Sequence, residues 1–291
     1  INMNRQKHKL SRRILAVLLM AAMLITMLPS AMFAQDGQGS EPTTTVSTPT
    51  DSPIQITKSV EENEDGSYNL TMEAYASNMT SNVTKPLDIV LVLDVSGSMD
   101  EYMGGRQSKL TALKTAANNF IDQFDAQNKN IADAADKHHV AVVKFAGDEI
   151  QKSIGNDTYR KDGKKYNYTQ TVKGFTSDAN QLKDAVNSLD AAGSTAADSA
   201  FEHVEAVLDS ADIYGARANA TQVVVFFTDG EPNHFSGWDG SVAGDAVNSA
   251  NSLKSDGVTI YSIGMFSSAD PEDTNNNFNK YMNAISSKYP D

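Results

Sequence analysis

Asp94, Ser96 and Ser98 follow one another at intervals of two in Leu93-Asp94-Val95-Ser96-Gly97-Ser98-Met99. In an extended loop that spacing turns the three side chains the same way, and Gly97 lets the loop curl tightly. A further acid, Asp229, stands in Phe227-Thr228-Asp229-Gly230-Glu231-Pro232. What these segments offer is carboxylate and hydroxyl oxygen, without imidazole or sulfur. Hard oxygen donors select Mg2+, Mn2+ or Ca2+ over zinc or copper. Taken alone, D-x-S-x-S also reads as a strand-to-helix turn in which Ser98 caps the helix. Catalysis is not expected. No G-x-S-x-G elbow surrounds either serine, and of the five histidines only His234 falls near the motif's partner segment. A metal-dependent hydrolase would need a second carboxylate where Ser96 stands.

Side chains so far apart in sequence need a rigid frame. Leu87–Leu93 is a nearly continuous apolar run, as in a strand buried on both faces, and Val140–Phe145, Val223–Phe227 and Val258–Ile263 repeat it. Between them, Leu110, Leu113, Ala117, Phe120, Ile121 and Phe124 recur at helical steps. So do Ala200, Phe201, Val204, Val207 and Leu208, and more weakly Ala246, Ala250 and Leu253, with Gly257 placed as a C-cap. Alternating strands and helices predict an α/β fold: a doubly wound, mostly parallel sheet with helices on both faces. In such sheets ligands bind at the carboxyl ends of strands where the winding reverses, and both acidic turns end a predicted strand. Residues 155–175 break the rhythm with Tyr159, Tyr166 and Tyr168, and predict an extended loop leading to a short edge strand near Thr171–Phe175.

At these residues the chain resembles the von Willebrand factor type A family, whose metal-ion-dependent adhesion site carries D-x-S-x-S after the first strand. The resemblance covers residues 86–291. It implies a Rossmann-like domain and an aspartate from a later loop, matched by Asp229. It also implies a threonine, matched by Thr195 in Ala192-Gly193-Ser194-Thr195, where Ser194 replaces a glycine that many members have. The five expected cation ligands are therefore Asp94, Ser96, Ser98, Thr195 and Asp229, with Mg2+ as the expected ion and Mn2+ or Ca2+ as alternatives. Neutral hydroxyls leave the cation's charge under-compensated, so it takes a carboxylate from a partner. Glu231, His234, Phe235 and Trp238 are candidates for the ligand face, although Trp238 reads equally as loop packing; Asp100, Glu101 and Glu231 could tune the site but read more readily as solvated loop acids.

Composition sets the setting. The 291 residues carry a net charge of −13, and residues 1–34 hold five basic residues and no acid, leaving −18 on the rest. Such a surface repels phosphate backbones, so nucleic acid is not an expected partner. Arg12-Arg13, the apolar run Ile14–Leu28 and the small residues ending at Ala34 read as a signal peptide, the run being shorter than the ~20 residues of a membrane span. Residues 35–53 read as a polar, disordered linker. The sequence opens on Ile1, with Met3 the expected start. There is no cysteine, which removes disulfides and thiolate chemistry.

Residues 54–85 alternate around Asp65-Gly66 and predict a β-hairpin that must pair with something else, because two strands alone are marginal. The whole plan resembles Gram-positive surface adhesins and pilus-tip proteins, in which an A domain interrupts a β-sandwich. That resemblance implies an extracellular protein ligand, cell-wall or pilus association, a final helix beyond Asp291, and Lys58 as a lysine for a Lys–Asn isopeptide bond. The expected function is cation-dependent adhesion. A cation-dependent assembly protein without a host ligand is the alternative.

Overall fold

A computed structural model describes residues 85–102, 106–265 and 275–287, together with the backbone of three strands before them. Those strands are β1 (Thr44–Ser47), β2 (Ile54–Glu62) and β3 (Tyr68–Ala76), antiparallel in the order β1-β2-β3. The predicted hairpin is β2–β3, and Thr44–Ser47, within the segment expected as linker, adds the third strand. The rest of residues 1–53, including the expected signal peptide, and the side chain of Lys58 lie outside what the structure describes.

The main domain runs β4 (Leu87–Asp94), α1 (Lys109–Asn128), β5 (His139–Phe145), β6 (Ile150–Gln151), β7 (Thr158–Lys161), β8 (Lys164–Asn167), β9 (Thr169–Thr176) and α2 (Ala179–Asn187). It continues with α3 (Ala197–Leu208), α4 (Ala211–Tyr214), β10 (Thr221–Thr228), α5 (Gly240–Ser255), β11 (Thr259–Gly264) and α6 (Asn277–Ile285). The backbone of β3 lies alongside α1. Six strands form one sheet in the order β11-β10-β4-β5-β9-β6. All neighbours are parallel except β5 and β9. The predicted mostly parallel α/β sheet is therefore present.

Alternation along β4 shows why its run is apolar throughout. Ile89, Leu91 and Leu93 enter a core with α1 and α2, whereas Val90 and Val92 enter the opposite core with α3, α5 and α6. A strand covered on both faces has no polar side to show. Chain direction across the sheet reverses at β4, with β5 on one side and β10 on the other. The register aligns Leu93 with Phe227, so Asp94 and Thr228-Asp229 emerge at one level beside that switch point.

Two expectations in the middle of the chain change. The stretch expected as an extended loop contains a hairpin, β7–β8, turning on Asp162 (φ 52°) and Gly163 (φ 77°). Two positive φ values describe a type I′ turn, for which Asp-Gly is the favoured pair. The strand expected at the edge, β9, is eight residues long and interior, with β6 outside it. Helix α2 was not anticipated, although Asp178, which caps Asn180 and Gln181, and the buried pair Leu182 and Val186 one turn apart were the signals for it.

Candidate functional site

Three loops meet at the carboxyl ends of β4 and β10. The first turns out of β4, and Gly97–Asp100 forms a 3-10 turn pinned by the buried side chain of Met99. The second, Gly193–Thr195, is tied to the first by a hydrogen bond from the Gly97 amide to the Gly193 carbonyl (2.9 Å). The third follows β10, and the backbones of Asn233 and Thr195 exchange hydrogen bonds of 3.1 and 2.9 Å. Ser194, where many relatives of the motif have glycine, donates its hydroxyl to the Ala146 carbonyl (3.2 Å) and fastens the second loop to the end of β5.

The side chains converge as the spacing required. Asp94 is fully buried; its Oδ1 accepts from the Ser96 amide (2.8 Å) and its Oδ2 from the Thr228 hydroxyl (2.7 Å). The hydroxyls of Ser96 and Ser98 lie 2.9 Å apart, and Ser98 donates to Asp229 Oδ1 at 2.8 Å across 131 residues of chain. Thr195 Oγ1 joins this group: a methyl placed on Gly230 would stand 3.1 Å from it and 3.7 Å from Ser98 Oγ. Burial, with the Asp229 charge adding to it, pushes the Asp94 carboxyl up to about 7 against the opposing hydrogen bonds from Ser96 and Thr228. Two carboxylates this buried call for positive charge.

One positive charge comes from a residue that sequence reasoning passed over. Lys109, the first residue of α1, places Nζ 2.7 Å from Asp229 Oδ2 and 2.9 Å from Glu101 Oε2. Burial alone would lower the pKa of its ammonium, but the two carboxylates outweigh that and hold it above its ordinary value. A lysine in a helix's first turn opposes the helix dipole, and that anomaly was the available signal.

The site fits a hard divalent cation. Asp229 Oδ2 is buried and faces the Lys109 ammonium at 2.7 Å, an ion pair that a bound cation would have to share or displace. The candidate ligands there are all oxygens: the carboxylates of Asp94 and Asp229 and the hydroxyls of Ser96, Ser98 and Thr195. Among the described residues no group of three His, Cys, Asp or Glu side chains is arranged to hold a metal, so such an ion must use hydroxyls. Bound there, it would supply an electrophilic position that attracts an anionic oxygen.

The outer residues sort differently. Glu231 is exposed. His234 Nε2 lies 2.9 Å from Asp198 Oδ2, so its ring is committed to α3. Trp238, expected at the ligand face or in loop packing, is half-buried and meets Tyr281 edge-on at 6.1 Å between centroids. Phe235, also expected at the ligand face, is 73% exposed, and Tyr102, after the first loop, is 69% exposed.

A family model for the von Willebrand factor type A domain matches residues 88–290. The chain belongs to that family. No curated protein matches it. Among solved structures, the A domain is similar to that of the type V pilus-tip protein Mfa5 from Porphyromonas gingivalis, at 14% identity over 70% of this chain and 87% of that one, TM-score 0.47. It is similar to the manganese-loaded TRAP protein of Plasmodium vivax, at 20% identity over 71% and 65%, TM-score 0.43. A third likeness is to proximal thread matrix protein 1 of the mussel byssus with a zinc-occupied adhesion motif, at 16% identity over 69% and 41%, TM-score 0.46. This chain spans under two-thirds of the length of the last two. Identities this low speak to fold alone.

Proposed function

We propose that this A domain binds a carboxylate of an extracellular protein partner through a divalent cation, Mg2+ in the first instance, held by Asp94, Ser96, Ser98, Thr195 and Asp229. The observation that carries the reading is the meeting of Ser98 and Asp229 at 2.8 Å beside the buried Asp94, which gathers oxygen donors from separate loops at one end of the sheet. The reading is of a binding module without turnover, exported and displayed at a cell surface. The ligand geometry is made by loops on strand ends, where a rigid sheet holds donors that are far apart in sequence.

Titration calorimetry with MgCl2, MnCl2 and CaCl2 tests the first step. Wild type is expected to give saturable heat, and Ser98→Ala and Asp94→Asn to lose it. Binding to immobilised extracellular matrix proteins, with and without EDTA, tests the second. No saturable heat from any of the three ions, or adhesion indifferent to EDTA, would sink the proposal.

A further inference from the structure

The β7–β8 hairpin is built against its own stability. Residues 158–167 carry Arg160, Lys161, Lys164 and Lys165 and a single acid, Asp162, in a chain of net charge −13. The register sets Arg160 opposite Lys165 and Lys161 opposite Lys164. Like charges directly across an antiparallel pair are destabilising. Lys161 is relieved by an ion pair with Asp148. Arg160 donates only to the Gly163 carbonyl (3.2 Å), and Arg160, Lys164 and Lys165 are exposed and form no ion pair among the described residues. The acids at the hairpin's base do not answer this: Asp148 also takes the Tyr159 hydroxyl, Asp157 takes Gln170, and Glu149 lies before β7.

The hairpin is nevertheless fixed in place, and at the cation site. Tyr159 stacks on Tyr166 (5.4 Å) and meets Tyr168 at a tilt (4.6 Å). Tyr166 packs against Gly193, where an added methyl would stand 3.1 Å from its ring. Gly193 lies two residues from Thr195. Lys161 Nζ lies 5.5 Å above the ring of Phe235, in the loop that carries Asp229. The basic tip therefore stands beside the two later ligand loops, next to an exposed phenyl ring.

We propose that the β7–β8 hairpin is a second contact surface for the partner, a basic arm that selects an acidic polypeptide bearing further carboxylates near the one that meets the cation. The inference rests on the carboxylate reading above. A polypeptide is favoured over a sulfated polysaccharide because the basic patch is short, and because Phe235 and Tyr102 offer apolar faces to side chains that flank the acids.

The test uses the full chain, wild type and R160Q/K164Q/K165Q, which leaves Lys161 and every cation ligand in place. Fluorescence anisotropy in MgCl2 measures binding of a fluorescein-labelled peptide with a run of glutamates interrupted by leucine, and of a same-length peptide with a single glutamate. The glutamate run is expected to bind the triple variant about tenfold more weakly than wild type, with a shallower salt dependence. The single-glutamate peptide should bind both alike. The variant should melt no lower than wild type, because like-charge pairs have been removed. Equal binding of the glutamate run by both proteins, or no binding by wild type, overturns the proposal. So does a clear fall in the variant's Tm, which would assign these residues to the fold. Displacement of the peptide by heparin oligosaccharide at lower concentrations than unlabelled peptide overturns the choice of a polypeptide. If the triple variant weakens binding that EDTA leaves untouched, the hairpin surface stands and the cation reading falls. If EDTA abolishes binding in both proteins at equal affinity, the reverse holds.

Discussion

Lys109 and Asp94 set the charge at the centre of the site, and each makes its own prediction. The Lys109 ammonium neutralises Asp229 from one side, so it competes electrostatically with any cation drawn to that carboxylate. Lys109→Met should therefore lower Tm in EDTA, by leaving Asp229 unpaired, and tighten Mg2+ binding on the order of tenfold. Thermal melts and calorimetry read both effects, and unchanged Mg2+ affinity would show that the lysine is a bystander. Asp94 sets the pH dependence. Its carboxyl stands at about 7 in the folded chain against an ordinary 3.8. The folded state thus holds a proton that the unfolded state has released between those values. That contribution to stability is present at low pH and is lost as pH rises through about 7. In EDTA, Tm should fall from pH 5 to pH 8, and MgCl2 should restore it at pH 8 far more than at pH 5. Asp94→Asn should flatten the slope; a wild-type melt flat across that range would mean the carboxyl titrates normally.

At the scale of elements, the loops matter through their backbones. Gly193 has φ 111°, which side chains avoid, and an added methyl would press on Tyr166 and Ala146 at 3.1 and 3.3 Å. Gly193→Ala should cost about 1–3 kcal/mol in urea unfolding. It should also weaken Mg2+ binding, because the Gly193 carbonyl holds the Gly97 amide of the first loop. A variant with normal Mg2+ affinity would show that the two loops are set independently. The hairpin beside this glycine was legible in part. Asp162-Gly163 was the turn signal, and polar tyrosine-bearing flanks hid it, since their strands pair only with each other and show no apolar face to a core.

For the whole molecule, the sheet separates the candidate site from a buried ion pair at its other end. At the start of β4, Arg217 reaches the buried Asp88 through Nε (2.9 Å) and Nη2 (2.6 Å) and donates to the carbonyls of Leu87 and Lys137. Arg217→Met leaves that carboxylate buried and unpaired, and should cost about 3–5 kcal/mol of stability. Mg2+ affinity of the folded fraction should be unchanged, because the site lies at the other end of the strands. A large change in affinity would show that the sheet transmits strain between its ends. The sequence by itself determined strands β4, β5, β10 and β11, helices α1, α3 and α5, and the residue types of the site. Short continuous apolar runs alternating with helical patterns are those of strands covered on both faces, and aspartate with hydroxyls at intervals of two offers oxygen donors to a loop. Thr195 came from resemblance to a family motif, not from spacing. What only the tertiary structure decided was which distant charges share the site. Lys109 meets Asp229, and the basic hairpin comes to Gly193 and Phe235, through the packing of loops at one end of the sheet. Contacts of that kind leave no period in the chain.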